Sequence, residues 1–358
     1  MTILNTNGVP VPPERARAAH EVAAVLTRAK QVVLTTHVNA DGDGVGSEIG
    51  LWHLLRARGV QVTIANPTRI PNRFDFMIPE GADASAHALQ EIEHADVVAV
   101  LDVGDISRLG VLASAVRDRR SPFVCIDHHV GPVRLPSGPC LIAPEATATA
   151  ELVFDLASTN GWPITPECAQ ALYVGLLTDT GGFRFSNTTA RALRVAAALL
   201  EHGVDPEGIY ACVYASAPEG RVRLLAEVLQ TLVVEPDVGL AWVSVPPDAL
   251  RRHETTADDL DGIVEFPRSI AGVRLALLFR QIASGRIKVS FRSMGEVDVA
   301  ALANQFGGGG HHRAAGASFA GSMAEVEATV LAAARSYLAT GSPSAAPAPH
   351  LGGSIGGA

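Results

Sequence analysis

From residue 14 onward, stretches with apolar positions at helical spacing alternate with short β-branched runs. The spacing predicts a helix over 14–29, and QVVLTT (31–36) reads as a buried strand. A helix over 44–58, a strand VQVTIA (60–65), a helix over 84–93 and strands DVVAVLD (96–102) and FVCID (123–127) follow. Strands separated by helices imply a parallel sheet with helices on both faces. Residues 146–230 read as mostly helical. A second, more amphipathic β region then begins with TLVVE, LAWVSV, AGVRLALLFRQ and RIKVSFRS, with helices expected near 257–266, 297–304 and 323–338. The tail GSPSAAPAPHLGGSIGGA is low in complexity and expected to be disordered. The expected organisation is an α/β domain over 14–215, a linker helix over 216–230, a smaller α/β domain over 231–338 and a tail over 339–358.

Composition narrows the class. The chain has 358 residues, enough for two domains and a tail, and 47% of them are apolar, enough to fill two cores. No apolar run approaches the roughly 18 residues of a membrane span. The N-terminus lacks the basic region and apolar core of a secretory signal. Cys125, Cys140, Cys168 and Cys212 lack C-x-x-C spacing, which argues against a disulfide scaffold and a thiolate zinc site. A soluble, cytoplasmic protein is expected. Net charge is −9, unfavourable for holding polyanions over a broad surface. Locally, residues 267–313 carry Arg268, Arg274, Arg280, Arg286, Lys288, Arg292 and Arg313 against Glu296 and Asp298.

Four clusters carry chemistry. THVNADGDG follows the first strand and offers His37, Asp41 and Asp43 where open α/β sheets bind ligands. The strand DVVAVLD ends in Asp102. FVCID ends in Asp127, followed at once by His128 and His129. ALYVGLLTDTGGF places Asp179 at the end of an apolar run. Each cluster alone reads as well or better as a solvated loop end. A buried run has no structural reason to end repeatedly in carboxylates, since unpaired buried charge is costly. If the ends converge, their charges repel unless cations sit among them. Together they point to a dinuclear metal site.

These motifs, in this order, resemble the four motifs of the DHH phosphoesterase family, and GGGGHHRAAG (307–316) resembles the glycine-rich signature of its type 1 associated domain. The likeness covers roughly residues 15–338, and departs from the family pattern at His312 and Asn39–Ala40. It implies a DHH metallophosphoesterase domain on a parallel sheet and a smaller α/β substrate-binding domain that closes over it. One metal ion would be held by His37, Asp41 and Asp102, and a second by Asp43, Asp102, His128 and Asp179, with Asp102 bridging. Oxygen and imidazole ligands without thiolates suit manganese, with magnesium or cobalt as substitutes. Asp127 would orient an imidazole, and His129 would face the phosphate or the leaving oxygen. Gly308, Gly309 and Gly310, read as a loop of unobstructed N–H groups, would hold the substrate's far end with His311 and Arg292.

The implied reaction is in-line attack by a hydroxide shared between the ions. It would release nucleoside 5′-monophosphates from short single-stranded RNA of about two to four nucleotides, or orthophosphate from 3′-phosphoadenosine 5′-phosphate. A cyclic or linear di-adenylate phosphodiesterase is the rival within the class. A pyrophosphatase is disfavoured by the glycine run, and an inactive nucleotide-binding regulator by the complete ligand set. Oligomeric state stays open, a homodimer among the options.

Overall fold

The computed structural model describes residues 8–119, 122–131, 134–282 and 285–340. The chain divides into two compact units, Met1–Ser216 and Ala217–Ala358. Of the segment read as a disordered tail (339–358), residues 341–358 lie outside the described residues.

The first unit runs α1 (Pro13–Leu26), β1 (Gln31–Thr35), α2 (Gly42–Arg56), β2 (Gln61–Ile64), α3 (Ala88–His94), β3 (Val97–Leu101), α4 (Ala113–Arg117), β4 (Phe123–Asp127) and β5 (Cys140–Ile142). Helices α5 (Thr149–Thr159), α6 (Pro166–Asp179), α7 (Ala190–Leu200) and α8 (Pro206–Tyr214) complete it. The sheet order is β2-β1-β3-β4-β5, parallel throughout. Alternation along each strand feeds two cores. Val32, Leu34, Ala99, Leu101, Val124 and Ile126 pack with the large helices on one face. Val33, Val98, Val100 and Cys125 pack with Ile92 and Val116 on the other. Burial on both faces is the reason the strands read as near-continuous apolar runs.

The second unit runs α9 (Glu219–Leu229), β6 (Val233–Glu235), β7 (Leu240–Ser244), α10 (Ala249–Arg252), α11 (Glu265–Arg268), β8 (Leu275–Gln281), β9 (Ile287–Ser293), α12 (Val299–Asn304), β10 (Gly309–His311), β11 (Ala314–Phe319) and α13 (Met323–Thr340). Its mixed sheet has the order β10-β11-β9-β8-β7-β6, with β7 and β8 parallel and the other pairs antiparallel. Helices α12 and α13 cover one face, where Ile287, Val289 and Phe291 are buried. The segment read as a linker helix contains α9, whose Leu224 and Val228 pack with Ala241, Val243, Ala276 and Leu278 on the other face.

The α/β class and the parallel first sheet match the sequence reading. Several details differ. The helix expected over 84–93 is a 3-10 turn leading into α3, and the one near 257–266 is a 3-10 turn, Ala257–Leu260, followed by α11. The strand ending in Asp102 stops at Leu101, and Asp102 itself turns with φ 61°. The glycine run is not an open loop: Gly309–His311 is an edge strand paired with β11.

Candidate metal centre

The order β2-β1-β3 places a topological switch point between β1 and β3, where open α/β sheets leave a crevice at the carboxyl ends of the strands. His37 follows β1, Asp102 follows β3, and Asp127 closes β4 with His128 and His129 beyond it. Asp41 is the N-cap of α2, its Oδ1 accepting from Asp43 N and Gly44 N at 3.1 Å each. Asp179 is the last residue of α6. The six residues assigned to metal from sequence thus meet at one edge of the first unit, together with Asp127 and His129.

His37, Asp41 and Asp102 offer donor atoms within 4.8 Å of one another, as do Asp43, His128 and Asp179. His37 Nε2 lies 3.5 Å from Asp102 Oδ2 and 3.7 Å from Asp41 Oδ2. His128 Nε2 lies 3.5 Å from Asp102 Oδ1, 3.7 Å from Asp43 Oδ2 and 3.8 Å from Asp179 Oδ2. These distances are long for hydrogen bonds and suit ligands gathered around an ion with bonds of about 2.0–2.2 Å. Asp102 turns one oxygen toward each imidazole.

The imidazoles are oriented as ligands. His37 Nδ1 pairs with Val38 O at 3.0 Å and His128 Nδ1 with Ala146 O at 3.3 Å, so each Nε2 faces the carboxylates. His37 Nε2 is buried and makes no hydrogen bond. That orphaned nitrogen beside two carboxylates is the observation by which the donor set fits a divalent cation. His129 is placed differently: Nδ1 pairs with Asp127 Oδ1 at 2.7 Å, and Nε2 accepts from Arg108 Nη1 at 2.9 Å.

The electrostatics record the same demand for positive charge. Burial opposes ionisation of His37, but the Asp102 and Asp41 carboxylates facing its Nε2 outweigh it and raise its pKa to about 10. Burial likewise opposes His128, and the Asp43, Asp102 and Asp179 charges carry it to about 9. Burial and the neighbouring Asp102 charge push Asp43 well up, and burial takes Asp179 to about 6 against the pull of His128. Burial pushes Asp102 up too, but the surrounding histidines more than reverse it and hold its carboxyl down. The carboxylates thus favour positive charge on the His37 and His128 imidazoles.

Several supporting groups were not found from sequence. The start of α5 delivers Thr149 N to Asp43 Oδ2 at 2.6 Å and Ala150 N to Asp43 Oδ1 at 2.9 Å, while Thr149 Oγ1 donates to Asp102 Oδ1 at 2.9 Å. Asn187 Nδ2 donates to Asp179 Oδ2 at 3.2 Å. Arg108, on the 3-10 segment after β3, is the fourth. Only the T-A-T-A-E run ahead of α5 resembles a helix start; Arg108 and Asn187 arrive through tertiary folding.

In the second unit, Arg292, Gly309 and Gly310 line a cavity of about 310 Å³ with Arg280, Lys288, Ser290 and Asp261. Lys288, Ser290 and Arg292 alternate with the buried Ile287, Val289 and Phe291, so they share one face of β9. Arg292 Nε donates to Glu265 Oε1 at 3.2 Å. Gly308 and Gly310 serve close packing: a Cβ would stand 2.2 Å from Gly316 O at the first and 2.4 Å from Ala314 O at the second. The side chain of His311 lies outside the described residues.

Fold and site define a class: two-unit α/β proteins whose first sheet carries a histidine–carboxylate centre suited to a divalent metal. The description of the DHH family's N-terminal domain matches residues 31–176, and that of the DHHA1 domain matches residues 238–340. The chain belongs to the DHH family of phosphoesterases. It is 33% identical over 303 residues to the bifunctional oligoribonuclease and PAP phosphatase NrnA of Thermus thermophilus, covering 84% of this chain and 88% of that protein. It is 28% identical to the Bacillus subtilis protein of the same description, covering 83% and 92%. The solved exopolyphosphatase-related protein from Bacteroides fragilis superposes with a TM-score of 0.85 at 30% identity, covering 90% and 97%. Among the described residues no helix is long and apolar enough to cross a membrane.

Proposed function

We propose that this chain is a metal-dependent phosphoesterase acting on short oligoribonucleotides and on 3′-phosphoadenosine 5′-phosphate. The observation that carries the reading is Asp102, whose two carboxylate oxygens face two separate histidine–carboxylate groups. A bridging carboxylate so placed suits a pair of ions. His37, Asp41 and Asp102 would hold one ion, and Asp43, Asp102, His128 and Asp179 the other. Manganese suits this ligand set, with magnesium or cobalt as substitutes. Two bound ions supply an acidified water and a clamp on phosphoryl oxygens. The names of the Thermus and Bacillus relatives support the same pair of substrates.

The two substrates ask for one bond cleavage. Releasing a nucleoside 5′-monophosphate from RNA and removing the 3′-phosphate of the bisphosphate both break a P–O3′ bond and add water across it. Asp43 and Asp102 are fixed by the α5 N-terminus, so the carboxylates need little reorganisation when substrate enters. Asp127 fixes the His129 ring beside them. In the second unit, Arg292, Gly309, Gly310 and His311 would hold the substrate's far end, with cationic and backbone N–H groups meeting its phosphate.

The test is a comparison of initial rates on a 5′-phosphorylated diribonucleotide, 3′-phosphoadenosine 5′-phosphate, and cyclic and linear di-adenylate. Each is run after chelation and after adding manganese, magnesium or cobalt. Turnover of the first two, abolished by chelation and restored by metal, is expected. Turnover confined to the cyclic di-adenylate would transfer the assignment to that class. Binding without turnover of any of them, with metal present, would make the protein a nucleotide-binding regulator.

A further inference from the structure

Of the three histidines at the centre, two aim Nε2 at carboxylates and the third aims it at a guanidinium. Arg108 belongs to the 3-10 segment Ile106–Leu112, six residues beyond Asp102. Asp105 caps that segment by accepting from Ser107 N at 2.9 Å, and Arg108 O accepts from Val38 N at 2.8 Å. The backbone of Arg108 is thus tied to the loop that carries His37. Its Nη1 donates to His129 Nε2 at 2.9 Å and reaches the Asp102 carbonyl oxygen at 3.5 Å.

A guanidinium stays charged and has no acceptor, so the His129 nitrogen that faces it must present a lone pair. The other ring nitrogen must then carry the proton, and Asp127 Oδ1 receives it at 2.7 Å. Arg108 and Asp127 therefore assign one role to each nitrogen. Among the described residues both side-chain hydrogen bonds of Arg108 run through Nη1. Nε–H and the Nη2 donors form a planar fork of the kind that meets two phosphoryl oxygens. Arg108 is half-buried, and the His129 ring it holds lies with Nδ1 3.6 Å from Asp102 Oδ1, so the guanidinium adjoins the ligand cluster through that ring.

We propose that Arg108 holds His129 as the neutral Nδ1–H tautomer and takes the substrate's scissile phosphoryl oxygens with its remaining donors. The second half rests on the phosphoester reading above; the first half does not. Toward His129 Arg108 is a positioning residue, and toward the phosphoryl group a catalytic one.

Two measurements on the full chain test it. Long-range proton–nitrogen correlation spectra of the chelated protein, with His129 assigned through His129→Gln, should show Nδ1 protonated and Nε2 bare. Arg108→Met, which leaves no donor at Nε2, should introduce the Nε2–H form, whereas Arg108→Lys, still a donor, should keep the wild-type tautomer. With magnesium loaded, Arg108→Gln should lower kcat/KM by roughly 100-fold at unchanged metal content, the cost of one preorganised donor group. Arg108→Lys should stay at least about 10-fold below wild type, because an ammonium does not reproduce the fork. An Nε2–H tautomer in the wild type overturns the first half. Arg108→Gln within twofold of wild-type kcat/KM overturns the second, and if that variant fails to fold, Arg108→Lys at wild-type efficiency does the same. Should the wild type cleave neither proposed substrate, the phosphoester reading and the contact half fall together, and the spectra still decide the tautomer.

Discussion

Asp102 combines a left-handed backbone, near-complete burial and contacts on both carboxylate oxygens. Aspartate tolerates φ > 0 better than most residues, and a strained position at a site persists where the surroundings determine it. Asp102→Ala should remove both ions together and lower activity by more than about 100-fold, since even residues supporting a ligand commonly cost 10–100-fold. Asp105→Ala, which removes only a cap and an exposed pair with Arg134, should keep the metals; elemental analysis and initial rates separate the two. The proton positions give a second expectation. His37 and His128, raised to about 10 and about 9 from 6.5, stabilise the metal-free fold fully below the unfolded value and lose that contribution as pH climbs through the folded values. Asp179, raised to about 6, loses its contribution in the same direction, and Asp102, held low, titrates beneath this window. The Tm of the chelated protein should therefore fall between about pH 6.5 and 10, and magnesium should flatten that slope by replacing the protons. A pH-independent Tm after chelation would contradict the proton placement. The acids and imidazoles were legible in the sequence because each closes an apolar run. Arg108, Thr149 and Asn187 were not, because single polar residues on loops carry no pattern until tertiary contacts bring them in.

The helices explain how such acids stay in place. Gly46 and Gly50 of α2 face α6, and a Cβ on Gly46 would stand 2.4 Å from Ala171 O and 2.9 Å from Gly175 N. Backbone cannot yield there as a side chain can. Gly46→Ala should cost about 1–3 kcal/mol in chemical denaturation. Gly50→Ala, which meets only the Leu172 side chain, should cost less. Gly175→Ala would press on Asp43 Oδ1 at 2.9 Å as well as on Ala150 Cβ, so its metal content should fall further than its stability predicts. Equal metal loss in Gly50→Ala and Gly175→Ala would refute that link. The long strands of the first sheet were readable because burial on both faces makes them apolar throughout. Strands β5 and β10 were missed: each is three residues at a sheet edge, one half-exposed around Cys140 and the other built largely of glycine. The same edge position turned an expected glycine loop into a strand, since β11 supplies the partner that a linear reading cannot see. The helix pattern near 257–266 broke because Gly262, at φ 84°, leaves the helical conformation between the 3-10 turn and α11.

At the scale of the whole molecule, charge sets what length of nucleic acid can be held. The chain carries −9 overall, and residues 267–313 are a locally basic segment, with Arg280, Lys288 and Arg292 around the cavity of the second unit. Such a cluster neutralises a few phosphates, whereas a strand-tracking nuclease needs an extended basic groove with bases stacked along it. Each neutralised phosphate of a single strand contributes about −0.7 to the slope of log affinity against log salt. Two or three contacts thus predict a slope of about −1.4 to −2.1, shallower than for an enzyme that grips many. Efficiency should also peak on substrates of about two to four nucleotides, because phosphates beyond the cluster gain little from a chain of net charge −9. The measurement is kcat/KM for single-stranded RNA from two to about 24 nucleotides at several salt concentrations, with a duplex for comparison. Efficiency rising steadily with length, with a slope steepening in step, would mean that the chain holds a long strand through contacts other than this basic cluster.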